Sequence, residues 1–127
     1  MKTVVVALGG NAILQPKQKG TIEEQRANVE MSVKNIAKLI QEGYRVVISH
    51  GNGPQVGNIL LQNAAARDQV PAMPLDVCGA ESQGLIGYMI QQSLYNELKR
   101  LDIDKKVVTL LTQVVVAKDD PAFQHPT

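Results

Sequence analysis

Two short runs of β-branched apolar residues, each followed directly by glycines, dominate the hydrophobic pattern of this chain. The runs are Thr-Val-Val-Val-Ala-Leu at residues 3–8 and Val-Val-Ile-Ser at residues 46–49. Short runs of this kind, bounded by turn residues, are typical of buried strands. Gly9-Gly10-Asn11 follows the first run and Gly51-Asn52-Gly53-Pro54 follows the second. Both strands are therefore predicted to end in a glycine turn.

Between and after these strands, apolar residues recur at helical spacing. The first predicted helix begins at a capping box, Thr21-Ile22-Glu23-Glu24, and ends at Gly43. The second begins at Pro54, because proline fits the first turn of a helix, and reaches about Arg67. The alternation of strands and helices predicts an α/β fold with parallel strands, in which both glycine turns lie at one edge of the sheet.

A third, long helix is predicted from a cap at Asp76 to about Arg100. It contains three interior glycines, Gly79, Gly84 and Gly87. An interior glycine costs roughly 1 kcal/mol relative to alanine, so close packing against a neighbour or a ligand is the expected compensation.

The remaining segments are predicted to be less regular. Residues 11–20 form a long loop, and such loops tend to be functional or mobile. Residues 107–116 are predicted to be a third strand, alone or as the start of a hairpin, and residues 118–127 a polar tail rich in proline. A last strand here would leave a sheet edge uncovered, so we expect the natural protein to continue beyond Thr127.

Composition excludes several classes of function. The 127 residues, 44% apolar and 20% charged, suit one soluble domain. A net charge of +1 and only 3% aromatic residues argue against nucleic acid as a partner. No apolar stretch approaches the length of a membrane span. Cys78 is the only cysteine, which fits a reducing compartment, so we expect a cytoplasmic protein. Because there is only one cysteine and the two histidines lie far apart, we expect no metal site built from side chains of this chain.

The two glycine turns are the candidate binding elements, because they expose backbone N–H groups without a Cβ atom in front of them. Such groups suit an oxyanion such as phosphate, carboxylate or carbamate. The second turn gives the stronger signal, since Pro54 marks a helix N-terminus with a partial positive charge. Either turn alone could be a plain strand-to-helix corner, but their repetition in the same context favours an anion site.

Other motifs give weaker signals. The glycines of residues 51–57 resemble a dinucleotide fingerprint, but no acidic residue ends a further strand about twenty positions later. Gly79 and Gly84 have the interval of a phosphate-binding P-loop, yet Leu85 stands where that motif requires lysine.

Three ionisable residues near the turns remain open to two interpretations. His50 could act as a general acid or base beside the second turn, or it could make a structural hydrogen bond at the strand end. Lys17 and Lys19 could reach over a bound phosphate from their loop, or remain solvated.

Four sequence blocks carry a resemblance to a known family. Taken in order, they resemble the carbamate kinases of the amino acid kinase superfamily, along the whole chain; the blocks are residues 5–12, 48–57, 83–88 and 120–124. Asn52 points to the carbamate branch, because the second block of the wider superfamily more often reads His-Gly-Gly-Gly.

The resemblance implies a three-layer αβα sandwich with a mainly parallel central sheet, and a homodimer. It implies reversible phosphoryl transfer between ATP and carbamate with Mg²⁺, giving carbamoyl phosphate and ADP. Residues 1–127 would form the amino-terminal, carbamate side, and the nucleotide-binding carboxyl-terminal half would be absent. ATP and Mg²⁺ would be bound mainly by that half.

The resemblance also assigns roles to residues of both turns. The predicted catalytic residues are Gly9, Gly10, Asn11 and Asn52, and the predicted substrate-binding residues are Gly51, Gly53, His50 and Gly84. Gly84 is a weaker candidate, because the family's helix at this position lies near both the substrate and the subunit interface, and His50 is included for its place beside the second turn. Ala7 departs from the superfamily, which mostly has lysine there. Carbamate kinases compensate with a lysine from a Lys-Pro-Ile-Gly or Lys-Pro-Val-Gly segment, expected just after Thr127, so the chain alone is expected to be inactive. A non-catalytic anion-binding or dimerisation module of the same fold, and less so a dinucleotide-binding domain, are the alternatives.

Overall fold

Two parallel strands and three long helices make up the regular part of the computed structural model, which describes residues 1–126. Their order is β1 (Thr3–Leu8), α1 (Ile22–Gln41), β2 (Arg45–His50), α2 (Gly53–Ala66) and α3 (Leu75–Arg100). The order and type of these five elements agree with the sequence prediction, and the α/β class with its parallel sheet is confirmed.

The strands pair in parallel from Thr3 opposite Arg45 to Leu8 opposite His50, so both end at the same edge. One face of the pair packs on the hydrophobic core through Val6, Val46 and Ile48. The other face is open to solvent within residues 1–126, where Val5 is 67% exposed. The connection through α1 places a helix against the sheet, as expected for a parallel crossover.

Helix α1 begins and ends as predicted. Thr21 Oγ1 accepts a hydrogen bond from the Glu24 N–H, and the Glu24 carboxylate accepts one from the Thr21 N–H, which completes the capping box. Gly43 has a φ of +92°, a conformation that favours glycine after a helix. The core lies mainly between α1 and α3, and its fully buried side chains include Val29, Val33, Ile86 and Met89.

Helix α3 differs from the prediction at its start. Pro74 is the N-cap residue, and Asp76 lies inside the first turn without capping it. A carboxylate in the first turn still interacts favourably with the helix dipole, which explains why aspartate occurs there.

At the other end of α3, Arg100 donates two hydrogen bonds to the Glu97 carboxylate, at 2.6 and 2.9 Å, and these bonds lower the pKa of Glu97.

Only one of the three interior glycines of α3 is closely packed. A Cβ atom at Gly87 would overlap the side chain of Thr109. At Gly79 and Gly84, a built Cβ has no heavy atom of residues 1–126 within 4 Å apart from the adjoining helix backbone. The expected compensation is therefore found at Gly87 and not at the other two.

The third predicted strand, residues 107–116, is wrong for the described chain: this segment has no regular secondary structure. A strand requires a neighbour that supplies ladder hydrogen bonds, and this segment lies instead along α3. Thr109 Oγ1 donates to the Gly87 carbonyl at 3.1 Å, and the Thr112 N–H donates to Gln83 Oε1 at 2.8 Å.

The tail contains one short ordered turn. A 3₁₀ helix covers Pro121–Phe123, and the Asp120 carboxylate caps it by accepting a hydrogen bond from the Ala122 N–H at 2.8 Å. Thr127, the last residue of the predicted tail, lies outside the described residues. Among the helices of residues 1–126, none combines the length and hydropathy that a bilayer crossing requires.

Candidate anion-binding site at the sheet edge

The two glycine turns lie side by side. Leu8 and His50 are register partners at the last position of each strand, so Gly9 and Gly51 leave the sheet at neighbouring points of the same edge. Within residues 1–126, and apart from the adjoining backbone, no heavy atom lies within 4 Å of a Cβ built at Gly9, Gly10, Gly51 or Gly53. The space in front of these backbone segments is therefore open to a ligand.

The first turn is a short helix and not only a loop. Gly10–Ala12 form one turn of 3₁₀ helix, in which the Ala12 N–H donates to the Gly9 carbonyl at 3.0 Å. Ile13, only 1% exposed, anchors the end of this turn in the core. Asn11 is exposed at the surface of the turn. The predicted loop of residues 11–20 thus begins with ordered structure.

Two polar residues of α1 fix this loop. The Asn28 amide donates to the Ile13 carbonyl at 3.0 Å and to Gln18 Oε1 at 2.6 Å. The Ser32 hydroxyl lies 3.4 Å from the Ala12 carbonyl and 3.1 Å from the Asn28 carbonyl. Because Asn28 is buried, these bonds form where water cannot replace them.

A buried pair of glutamines joins the first loop to the second turn. The Gln25 amide on α1 donates to the Gly20 carbonyl at 2.8 Å, and the Gln55 amide on α2 donates to Gln25 Oε1 at 3.0 Å. Gln25 is 8% exposed and Gln55 is 5% exposed. The pair therefore connects the end of the loop at Gly20 with the helix that begins at Gly53.

Sequence reasoning missed these buried amides, although one signal could have found them. Gln25 lies four positions before the apolar Val29, so both lie on the same face of α1. Asn28 and Ser32 are likewise four positions apart and lie next to each other on the helix. A polar residue on the apolar face of a predicted helix is buried only with partners, so its presence there indicates a hydrogen-bonded network.

Asn52 precedes α2 as its N-cap residue, but its side chain does not cap the helix. Its Nδ2 donates instead to Ser82 Oγ on α3, at 2.8 Å. Ser82, fully buried, donates in turn to the Gly79 carbonyl at 2.6 Å. The structure therefore ties the second glycine turn to α3 through Asn52.

His50 makes a local hydrogen bond. Its Nδ1 lies 3.0 Å from the carbonyl oxygen of Gly51, the next residue. Because a carbonyl only accepts, Nδ1 carries the proton in this contact. The bond agrees with the structural interpretation of His50; its participation in substrate binding stays a prediction.

Gly84 is not grouped with the turns. It is exposed on α3 and lines a cavity of about 470 Å³ together with Tyr88, Tyr95 and Lys106. A smaller cavity of about 130 Å³ lies beside the second turn, and its lining includes Pro54, Gln55 and Gln25. The substrate role of Gly84 stays a prediction.

The donors at the sheet edge are neutral. Ala7 provides no cation on β1, and Lys17 and Lys19 are exposed on their loop. Residues 1–126 hold no group of three His, Cys, Asp or Glu side chains that could bind a metal ion. Burial raises the pKa of the Cys78 thiol, with a further contribution from Glu81, so this cysteine is not poised as a nucleophile. The arrangement can bind an anion through N–H groups but cannot by itself neutralise a moving phosphoryl group.

Comparison with known proteins agrees with this geometry. The chain is 59% identical over 126 residues to the carbamate kinase of Pyrococcus horikoshii, an alignment that covers 98% of this chain and 40% of that relative. It is 57% identical over 129 residues to the carbamate kinase of Staphylococcus haemolyticus, covering all of this chain and 40% of that relative. The chain thus spans about 40% of the length of the curated relatives that it matches.

Solved structures show the same fold. Carbamate kinase from Giardia lamblia bound to AMP-PNP superposes with a TM-score of 0.96 at 52% identity, covering 99% of this chain and 44% of that one. The same enzyme bound to citric acid superposes with a TM-score of 0.93, and the match covers 99% of this chain and 40% of that one. The resemblance to carbamate kinases is confirmed. The sequence profile of the amino acid kinase family matches residues 2–119, and the chain belongs to this family.

Proposed function

We propose that this chain is the carbamate-binding, amino-terminal portion of a carbamate kinase, which transfers a phosphoryl group reversibly between ATP and carbamate. The observation that carries the proposal is the alignment of two open glycine turns at paired strand ends, Leu8 and His50. The identity of 59% to a carbamate kinase supports the choice of carbamate as the substrate.

In this proposal the turns supply neutral hydrogen-bond donors to the reacting group. Backbone N–H groups of Gly9, Gly10, Gly51 and Gly53 approach the oxygens of carbamate or of the transferred phosphoryl, since no side chain blocks them. Asn11 and Asn52 add amide groups at the rim of the same edge. Phosphoryl transfer depends on positioning and on electrostatic stabilisation, and the turns provide the first of these.

The nucleotide and Mg²⁺ are proposed to be held chiefly by parts of the kinase outside these residues. One similar structure is bound to AMP-PNP, and this chain covers 44% of it. Within residues 1–126, no three His, Cys, Asp or Glu side chains form a cluster that fits a metal ion. Cations from outside the chain would neutralise the charge that the turns leave uncompensated.

Two further properties belong to the same proposal. A homodimer is supported by the exposed apolar side chains of α3 and of residues 107–116, among them Tyr88 and Leu110. A cytoplasmic location is supported by the single cysteine, which fits a reducing compartment.

Neither alternative function is favoured by the comparisons, in which the relatives are carbamate kinases. Gly57, the last glycine of the fingerprint-like segment, lies inside α2, and apart from the adjoining helix backbone no heavy atom of residues 1–126 lies within 4 Å of a built Cβ. The close helix packing that a dinucleotide fingerprint needs at its last glycine is therefore missing.

A chimeric enzyme tests the proposal directly. We would join residues 1–127 to the remainder of the Pyrococcus horikoshii carbamate kinase and measure ATP formation from carbamoyl phosphate and ADP. Activity that is lost on Gly51→Val, with little change in thermal stability, is the expected result, because the new Cβ atom lies in open space in front of the backbone. A folded chimera without activity, or one that Gly51→Val leaves fully active, would contradict the proposal.

A further inference from the structure

The start of α2 combines a strong capping residue with an uncapped helix end. Asparagine is among the best N-cap residues, because its side-chain oxygen accepts a hydrogen bond from the N–H of the second or third helical residue. The second residue here is Pro54, which has no N–H, so only the Gln55 N–H could be capped. Asn52 makes no such bond, and its ψ of 8° departs from the extended backbone usual at this position.

The direction of two hydrogen bonds explains where the Asn52 side chain has gone. The carbonyl of Gly79 can only accept, so Ser82 must donate its single proton there, across 2.6 Å. Toward Asn52, Ser82 can then only accept. Asn52 must therefore present Nδ2 to Ser82, at 2.8 Å, and its oxygen cannot take that place.

The consequence is that the first turn of α2 stays uncapped. Within residues 1–126, neither the Gly53 N–H nor the Gln55 N–H donates a hydrogen bond. The side-chain NH₂ group of Asn52 has two N–H donors, of which only one is used in the hydrogen bond to Ser82. The Gly53 and Gln55 N–H groups belong to the first turn of α2, which directly follows Asn52.

We propose that Ser82 is a positioning residue, which holds the Asn52 side chain away from α2 so that the Gly53 and Gln55 N–H groups remain free for a substrate oxyanion. The inference rests on the proposed function, in which the second turn binds carbamate or carbamoyl phosphate. Without the Ser82 hydroxyl, the Asn52 oxygen turns to the Gln55 N–H and occupies the place of a substrate oxygen. Helix capping then competes with substrate binding at the same donor.

Ser82→Ala in the chimeric enzyme tests this competition. Because one neutral hydrogen bond is lost, kcat/KM for carbamoyl phosphate should fall about 3–10-fold, mainly through KM. Hydrogen exchange of the Gln55 amide should become slower by at least about 3-fold, since a newly formed cap protects it. Ser93→Ala, at a half-buried serine of the same helix, is the matched control and should change neither quantity.

A double-mutant cycle separates this role from a purely structural one. When Asn52 is already alanine, Ser82→Ala should lower kcat/KM by less than about 2-fold, because the two residues act as a unit. An equal loss on both backgrounds, or unchanged exchange at Gln55, would overturn the inference. An inactive parent chimera would count against the proposed function, whereas the exchange measurement needs no catalysis and still decides the role of Ser82.

Discussion

The sheet edge and the segment of residues 107–116 both contain β-branched apolar runs, yet only the first forms strands. Residues 3–8 and 45–50 pair with one another, and each supplies the ladder hydrogen bonds that the other needs. Residues 107–116 meet α3 instead, and their contacts to it include Thr109 and Thr112. A β-type pattern thus predicts a strand only when a strand partner lies within reach.

The two regions also differ in how they are held. At the sheet edge, buried amides such as Asn28, Gln25 and Gln55 fix the loops through partners that are shielded from water. In the other region, Val114 is 83% exposed and Val115 is 98% exposed. The loops of the first region are held by buried hydrogen bonds, and the second region presents apolar surface without a partner in residues 1–126.

The largest expected effect concerns the nucleotide, because the proposal places its site outside this chain. In calorimetry with Mg·ATP, the 127-residue chain should give no saturable signal in the micromolar range, whereas the chimeric enzyme should bind. A clear saturable isotherm from the chain alone would place nucleotide contacts within residues 1–127 and weaken the division into two functional sides.

Asn52→Ala in the chimeric enzyme should produce the next largest effect. Its amide donates to a charged substrate oxygen in the proposed function, and such a bond contributes about 1.5–3 kcal/mol. We therefore expect kcat/KM for carbamoyl phosphate to fall by about 10–150-fold. The fold should survive, but Asn52→Ala also removes the hydrogen bond to the buried Ser82 Oγ, so the free energy of unfolding should fall by about 0.5–1.5 kcal/mol. Unchanged kinetics would make the second glycine turn a structural corner only.

The sequence predicted the parts of the site that local chemistry determines. The strand ends, both glycine turns and the capping box at Thr21 follow from short patterns, because each depends on residues within a few positions. The partners of Gln25 and Asn52 could not be predicted, since Gln55 and Ser82 each lie thirty positions away and meet them only in the folded chain. The prediction of Asp76 as the cap of α3 is wrong, because the preference of aspartate for the N-cap is only statistical; Pro74 is the N-cap residue in the structure.

Gln55→Ala measures how much the buried pair of Gln25 and Gln55 contributes to the free energy of unfolding. The change removes the donor to Gln25 Oε1 and leaves this buried acceptor without its partner. An unsatisfied buried group costs about 1–3 kcal/mol, so the free energy of unfolding of the chimeric enzyme should fall by that amount. Gln62→Ala, at an exposed position of the same helix, serves as the control and should stay within about 0.5 kcal/mol of the parent. Equal effects of the two substitutions would show that the glutamine pair contributes no stability.

Lysine substitutions within residues 107–116 should have the smallest effect on stability but a clear effect on self-association. Leu110 is 77% exposed and Val115 is 98% exposed, so Leu110→Lys with Val115→Lys should change the free energy of unfolding by less than about 0.5 kcal/mol. The 127-residue chain should self-associate through this apolar segment, and the double substitution should reduce that association, because exposed lysines oppose the contact of apolar edges. Light scattering across a concentration series measures it, and Met31→Lys, at an apolar position of α1 that is 64% exposed, is the matched control. If the unmodified chain is already a monodisperse monomer, or if Met31→Lys reduces association equally, then residues 107–116 do not form a distinct interaction surface.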